Sequence, residues 1–218
     1  MTTHNPDLPG NASVPGGTMT EPGLPLPRES VSPGSRLADP APLGLAGFAL
    51  TTMVLSFVNT GLFNAKDVGA VLGLALAYGG LVQLLAGMWE FARGNTFGAV
   101  AFSSYGGFWI SYWWFVEHDL AKGVDAPGVG LYLICWAVFT GYMTIAATRV
   151  SGAVLTVFVL LTATYIVLGI AEFAGSAGLG KVGGWVGVAT AAAAWYASFA
   201  GVTAFTHKRA LVPTLPLS

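Results

Sequence analysis

Six stretches of the chain, at 42–63, 68–89, 97–116, 128–148, 153–171 and 182–205, hold no charged residue, and each runs to about 19 to 24 residues. Roughly 20 helical residues cross the ~30 Å hydrocarbon core of a bilayer, so each stretch matches one transmembrane helix. Inside a bilayer every backbone N–H and C=O needs an internal partner, which leaves only helices and closed barrels. Barrel strands would show segments of alternating polarity about ten residues long, and the chain has none. The charges gather in short segments at 64–67, 90–96, 117–127, 149–152 and 172–181, which leave no room for an extramembrane domain. The expectation is an all-α membrane protein, a bundle of six transmembrane helices over 39–207.

Composition narrows the alternatives. Only 9% of the 218 residues are charged, whereas a soluble surface needs roughly a quarter. Thirty glycines and seven tryptophans suit helices that pack closely and are anchored at the membrane interfaces. The net charge of -1 excludes a nucleic-acid partner, which would require a basic face. The lipid bilayer is the expected surrounding. Cys135 is the single cysteine, so neither an internal disulfide nor a thiolate metal cluster can form. It is expected as a small buried thiol within a helix.

Residues 1–38 are rich in Pro, Gly, Ser and Thr and lack an apolar run. They cannot bury enough surface to offset chain entropy, so a disordered N-terminal tail is expected. No apolar core of seven or more residues lies near Met1, which argues against a cleaved signal peptide. Residues 208–218 form a C-terminal tail. With a cytoplasmic N-terminus, the inner segments hold Arg28, Arg36, Arg93, Arg149, Lys208 and Arg209, and the outer loops only Lys66, Lys122 and Lys181. Six basic residues against three place both termini in the cytoplasm. The first, third and fifth helices then begin on that side, behind Asp39, Asn95 and Ser151, which are capping residues. Their N-terminal dipoles favour anions.

Intramembrane polar residues mark function because each is costly unless paired or wet. No Asp, Glu, Lys, Arg or His lies deep in any span, and Glu90 and Glu172 sit near span ends as interfacial acids. The histidines, His4, His118 and His207, lie outside the spans and cannot ligate haem or form a metal pair. No catalytic constellation is present, so neither enzymatic chemistry nor a cofactor or metal is expected. Neutral polar groups remain: Thr51, Thr52, Ser56 and Asn59, then Tyr78 and Gln83, then Ser103, Ser104, Tyr105, Ser111 and Tyr112. Ser104 and Ser111, like Tyr105 and Tyr112, are seven apart and share a helix face. Such groups either cross-bridge helices at roughly 0.6 kcal/mol each or line an uncharged path for a small solute. The pairs Gly69 and Gly73, and Gly183 and Gly187, have GxxxG spacing, which serves packing within or between subunits.

The run Asp39-Pro40-Ala41-Pro42-Leu43-Gly44-Leu45-Ala46-Gly47-Phe48 resembles the signature of the acetate uptake transporter family, to which bacterial succinate–acetate permeases belong. A second block agrees: Tyr78-Gly79-Gly80, Gln83, Ala86-Gly87, Glu90, Gly94-Asn95-Thr96-Phe97, Ser104-Tyr105-Gly106 and Phe108-Trp109. One departure is Asp39, where the family usually has Asn. The resemblance implies a multi-pass protein of the plasma membrane that transports acetate and related small carboxylates, including succinate, and assembles as a homo-oligomer, a hexamer. It also implies a hydrophobic constriction in each protomer, carried here by Phe48, Tyr105 and Leu161, with the Tyr105 hydroxyl available as a donor. Asn59, Gln83 and Glu90 take family-like polar positions. With Thr51, Thr52, Ser104, Asn95 and Thr96 they are expected to line or support the path.

Competing readings are weaker. An aquaporin needs two Asn-Pro-Ala boxes on half-helices, and here a single Asp-Pro-Ala begins a full helix. The chain lacks the midspan His or Lys that would serve a formate–nitrite type channel, and it lacks the buried His that an intramembrane serine protease needs. A non-transporting scaffold would account for the glycines but not for the polar faces.

Overall fold

The computed structural model of the protein describes residues 37–119 and 123–217. Its helices are α1 (Ala41–Asn59), α2 (Gly69–Leu76), α3 (Gln83–Arg93), α4 (Thr96–Trp114), α5 (Ala126–Ala147), α6 (Gly152–Ala174) and α7 (Ala177–His207). A 3-10 turn, Ala65–Val68, leads into α2, and a π-helical stretch, Ala77–Val82, joins α2 to α3, so Ala65–Arg93 is one helical run of 29 residues. The tail expected over 1–38 falls, up to residue 36, outside the described residues.

Among the described residues five runs are long and apolar enough to cross a membrane: Ala41–Asn59, Ala65–Arg93, Ala126–Ala147, Gly152–Ala174 and Ala177–His207. The third uncharged stretch, now α4, is also helical and 19 residues long. Its Ser, Tyr, Trp and Gly content lowers its hydropathy below that of the other five.

The helix ends show why charge clusters mark the connections only approximately. Glu90 and Arg93 lie inside α3, Glu172 inside α6 and Lys181 inside α7, so the segments 90–96 and 172–181 are mostly helical. A charge does not break a helix; a left-handed residue does. Gly94 (φ 77°) ends α3 and Gly175 (φ 57°) ends α6, a conformation that costs glycine little. Only Gly175 and Ser176 separate α6 from α7.

Capping follows the sequence closely. Asn95 Oδ1 accepts from the Gly98 N–H at 3.1 Å, and Ser151 Oγ accepts from the Val154 N–H at 3.3 Å. Pro40 opens α1, and Asp39 Oδ1 accepts from the Ala41 N–H at 3.1 Å while pairing with Arg93. The C-terminal segment completes the cap of α6. The Gly152 and Ala153 N–H groups donate to the Leu215 and Thr214 carbonyls at 2.7 and 3.1 Å, and the Leu155 N–H donates to the Ser151 carbonyl at 2.8 Å. Four N–H groups at a helix start lack an intrahelical partner, and here the three at Gly152, Ala153 and Val154 are satisfied. The anion-attracting start expected at α6 is therefore occupied by the protein's own groups, and one N–H at each of the starts of α1 and α4 is capped, by Asp39 and Asn95.

Close approach decides what the two glycine pairs do. A Cβ on Gly187 would meet Ser56 Oγ at 2.3 Å, and one on neighbouring Gly184 would meet the Thr60 backbone nitrogen at 2.5 Å, so α7 and α1 touch backbone to backbone. Nothing lies within 4 Å of a Cβ at Gly69 or Gly73. One pair packs the protomer; the other faces outward. Cys135, expected as buried, is instead exposed on α5. In a membrane helix the outer face is apolar as well, so a small apolar side chain does not reveal its side.

Candidate functional site

Helices α1, α4 and α6 run in the same direction and bring three sets of side chains to one cavity of about 340 Å³. α1 contributes Phe48, Thr52, Ser56 and Asn59; α4 contributes Phe108, Trp109 and Tyr112; α6 contributes Leu161, Thr164, Tyr165 and Glu172. The contributions of α1 fall at intervals of three and four residues, as one helix face requires. The cavity extends to the ends of α1, α4 and α6, at Asn59, Phe115, Val116 and Glu172. Glu172 is the only ionisable carboxylate in the lining.

A second, much smaller pocket of about 20 Å³ continues toward the starts of the same helices, lined by Leu45, Phe48, Gln83, Ala101, Phe102, Tyr105, Val157, Phe158 and Leu161. Phe48 and Leu161 line both spaces and so stand between them. The Phe48 and Tyr105 rings are 5.8 Å apart, and Phe158 closes in on Tyr105 at 6.0 Å. Phe48, Tyr105 and Leu161 are each 3% exposed, which leaves the narrow point apolar and tight. A further cavity of about 400 Å³, between the start of α1 and the end of α7, shares none of these residues.

The Tyr105 hydroxyl differs from the expectation. Thr140 Oγ1 donates to the Trp136 carbonyl at 2.8 Å, and a hydroxyl has one proton. In the 3.0 Å contact between Tyr105 and Thr140 the donor must therefore be Tyr105. Its proton is committed to Thr140, leaving only acceptor capacity on the phenol oxygen.

Of the other anticipated residues, Thr52, Asn59 and Gln83 reach the two spaces. Thr51, Ser104, Glu90, Asn95 and Thr96 line neither. The Thr51 hydroxyl donates to the Gly47 carbonyl at 2.9 Å within α1. Glu90 is no interfacial acid: it is fully buried, with Oε2 accepting from Asn95 Nδ2 at 2.9 Å and Oε1 unpartnered. Arg93 pairs with Asp39 rather than with Glu90. Glu90 and Asn95 thus tie together the turn between α3 and α4.

Phe158, Thr164 and Tyr165 were not among the anticipated residues. They share a stripe with Leu161 on α6 at intervals of three and four, a pattern visible in the sequence but indistinguishable there from ordinary packing.

Comparison with known proteins places the chain in a family. The GPR1/FUN34/yaaH family profile matches residues 23–218. Acetate permease A of Emericella nidulans is 40% identical over 196 residues, which cover 82% of this chain and 66% of that protein. The succinate-acetate/proton symporter SatP of Escherichia coli K12 is 37% identical over 182 residues, covering 82% of this chain and 96% of that protein. Ammonia transport outward protein 2 of Saccharomyces cerevisiae is 42% identical over 195 residues, covering 86% and 67%. Among solved structures, that of the bacterial acetate channel SatP superposes with a TM-score of 0.78 at 36% identity, covering 82% of this chain and 99% of that one. This multi-pass membrane chain belongs to the GPR1/FUN34/yaaH family.

Proposed function

We propose that this chain carries acetate and related small carboxylates, succinate among them, across the plasma membrane through a path in each protomer, gated by the apolar ring of Phe48, Tyr105 and Leu161. The observation that carries this reading is the convergence of a largely apolar vestibule, with Thr52, Ser56, Asn59 and Thr164 as polar points in its wall, on Phe48 and Leu161, with Tyr105 behind them. Apolar constrictions gate by dewetting, so ring width decides which solutes pass. Thr52 and Asn59 offer hydrogen bonds to a solute that has shed water. Thr51, Ser104, Glu90, Asn95 and Thr96 support the path from behind. The names of the bacterial and fungal relatives support the substrate class, and they are the names of transporters, not enzymes.

All six helical runs then cross the bilayer. α4 crosses because Gly98, Ala99, Ala101, Phe102, Tyr105, Gly106, Phe108 and Trp109 are buried by protein rather than lipid. Both termini are cytoplasmic, and residues 39–207 form the transport unit between two tails. The protomers assemble into a homo-oligomer, a ring of six by family resemblance; the outward-facing Gly69 and Gly73 offer one close-packing surface for it.

Labelled-acetate uptake into proteoliposomes, with propionate, succinate and formate as competitors, tests this reading. Flux above empty liposomes, suppressed by propionate, is the expected result. Flux equal to empty liposomes would leave a scaffold. An ammonia arm separates the second reading, favoured by the name of the yeast relative: ammonia flux without acetate flux would replace the carboxylate as substrate.

A further inference from the structure

The small pocket behind Phe48 and Leu161 is lined by eight side chains without a carboxamide and by one with it, Gln83. Gln83 is 1% exposed, and its Oε1 is buried with no hydrogen-bond partner. Burying a polar group without compensation costs free energy, so a partner that arrives with the solute is the economical explanation. Its position is built, not accidental. Gln83 is the first residue after the π-helical stretch Ala77–Val82, and such stretches inside α-helices recur at functional sites. Gly47 on α1 allows the approach: a Cβ there would lie 2.7 Å from the Tyr78 carbonyl and 3.8 Å from Gln83 Cβ.

The charge environment is equally defined. The pocket wall comes from α1, α3, α4 and α6, and Tyr105 is its only titratable group, with its proton already donated to Thr140. No charged side chain lines the pocket. On the same helix Glu90 lies seven residues on, about two turns, and is held by Asn95. A carboxylate entering here finds no countercharge. It finds two acceptors, the Tyr105 oxygen and the amide oxygen, and a single donor group, the amide NH2.

We propose that the Gln83 carboxamide is the selectivity-determining group of the ring, pairing with the neutral carboxylic acid and rejecting the carboxylate. A primary amide and a carboxylic acid are complementary: the acid O–H donates to the amide oxygen while the amide N–H donates to the acid carbonyl. The carboxylate lacks the first of these bonds and sets an anionic oxygen against the amide oxygen. The acid keeps its proton throughout, so one proton crosses with each acetate without a titrating relay in the path. This rests on the transport reading above.

The test uses wild-type protein in liposomes with empty-liposome flux subtracted. Labelled acetate, fluoroacetate (near-isosteric but a far stronger acid) and acetamide (neutral at every pH) are compared between pH 5 and 8. Acetate flux should follow the neutral-acid concentration, fluoroacetate should fall below acetate in proportion to its smaller neutral fraction, and acetamide flux should be flat with pH. Equal acetate and fluoroacetate fluxes at one pH would overturn the inference while leaving transport intact. No flux of any solute would instead remove the transport reading on which it rests. Gln83→Leu should lower acetate and acetamide flux together by at least about tenfold, the net worth of the two hydrogen bonds it removes; unchanged flux in that variant would overturn the role of Gln83.

Discussion

Phe48 and Leu161 occupy the point where the vestibule meets the small pocket, so truncating either one widens the path by the volume it loses. Phe48→Ala and Leu161→Ala should each raise acetate flux severalfold and lift propionate relative to acetate in the liposome assay. Wild-type rates and selectivity in both variants would remove them from the ring. The same truncations should cost about 2–5 kcal/mol of stability, since both side chains are buried in the core. At this scale the sequence points to Phe48 and Tyr105 only through a motif, because an apolar ring and an apolar core have the same composition. Hydrogen-bond direction was not legible at all. The Tyr105 proton is spent on Thr140, a residue 35 positions away whose own proton goes to Trp136. Asp39 was legible as a cap but not as the partner of Arg93, 54 residues distant.

Helices α1 and α7 meet through Gly184 and Gly187, and a side chain at Gly184 would collide with the Thr60 backbone. Gly184→Val should therefore destabilise the protomer by roughly 3 kcal/mol or more, beyond ordinary overpacking, whereas Gly73→Val, which meets nothing inside the protomer, should lower the melting temperature far less and act on assembly instead. Thermal melting in detergent distinguishes the two; an equal shift in both would mean that the glycines are not used differently. The C-terminal segment acts on α6, the helix that carries Leu161. Deleting residues 209–218 strips the acceptors from the Gly152 and Ala153 N–H groups, which should cost about 1–3 kcal/mol and speed amide exchange at the start of α6. Unchanged exchange there would contradict the cap. Element identity was largely readable from uncharged runs of membrane length. Boundaries were not, because Glu90, Arg93, Glu172 and Lys181 remain helical until a left-handed glycine or a capping side chain ends the turn. The π-helical joint at Ala77–Val82 left no charge or periodicity signal, only the neighbouring Gly79 and Gly80.

For the whole molecule, the bundle places the vestibule and the small apolar pocket in succession between α1, α4 and α6. The family resemblance pointed to residues of these two spaces from two motif blocks, whereas bare periodicity reports which face is apolar and not which face encloses space. The single native cysteine makes the path directly testable. In a Cys135→Ser background, Leu161→Cys puts the only thiol of the chain at the ring, on a wall shared by both spaces. Acetate flux in liposomes is then measured before and after quantitative modification with methyl methanethiosulfonate, which is small and neutral, with the Cys135→Ser protein as control. Passage between Phe48 and Leu161 predicts that modification suppresses flux in the Leu161→Cys protein, that acetate slows the modification, and that the control is unaffected. Full modification with flux unchanged would mean that the solute crosses elsewhere.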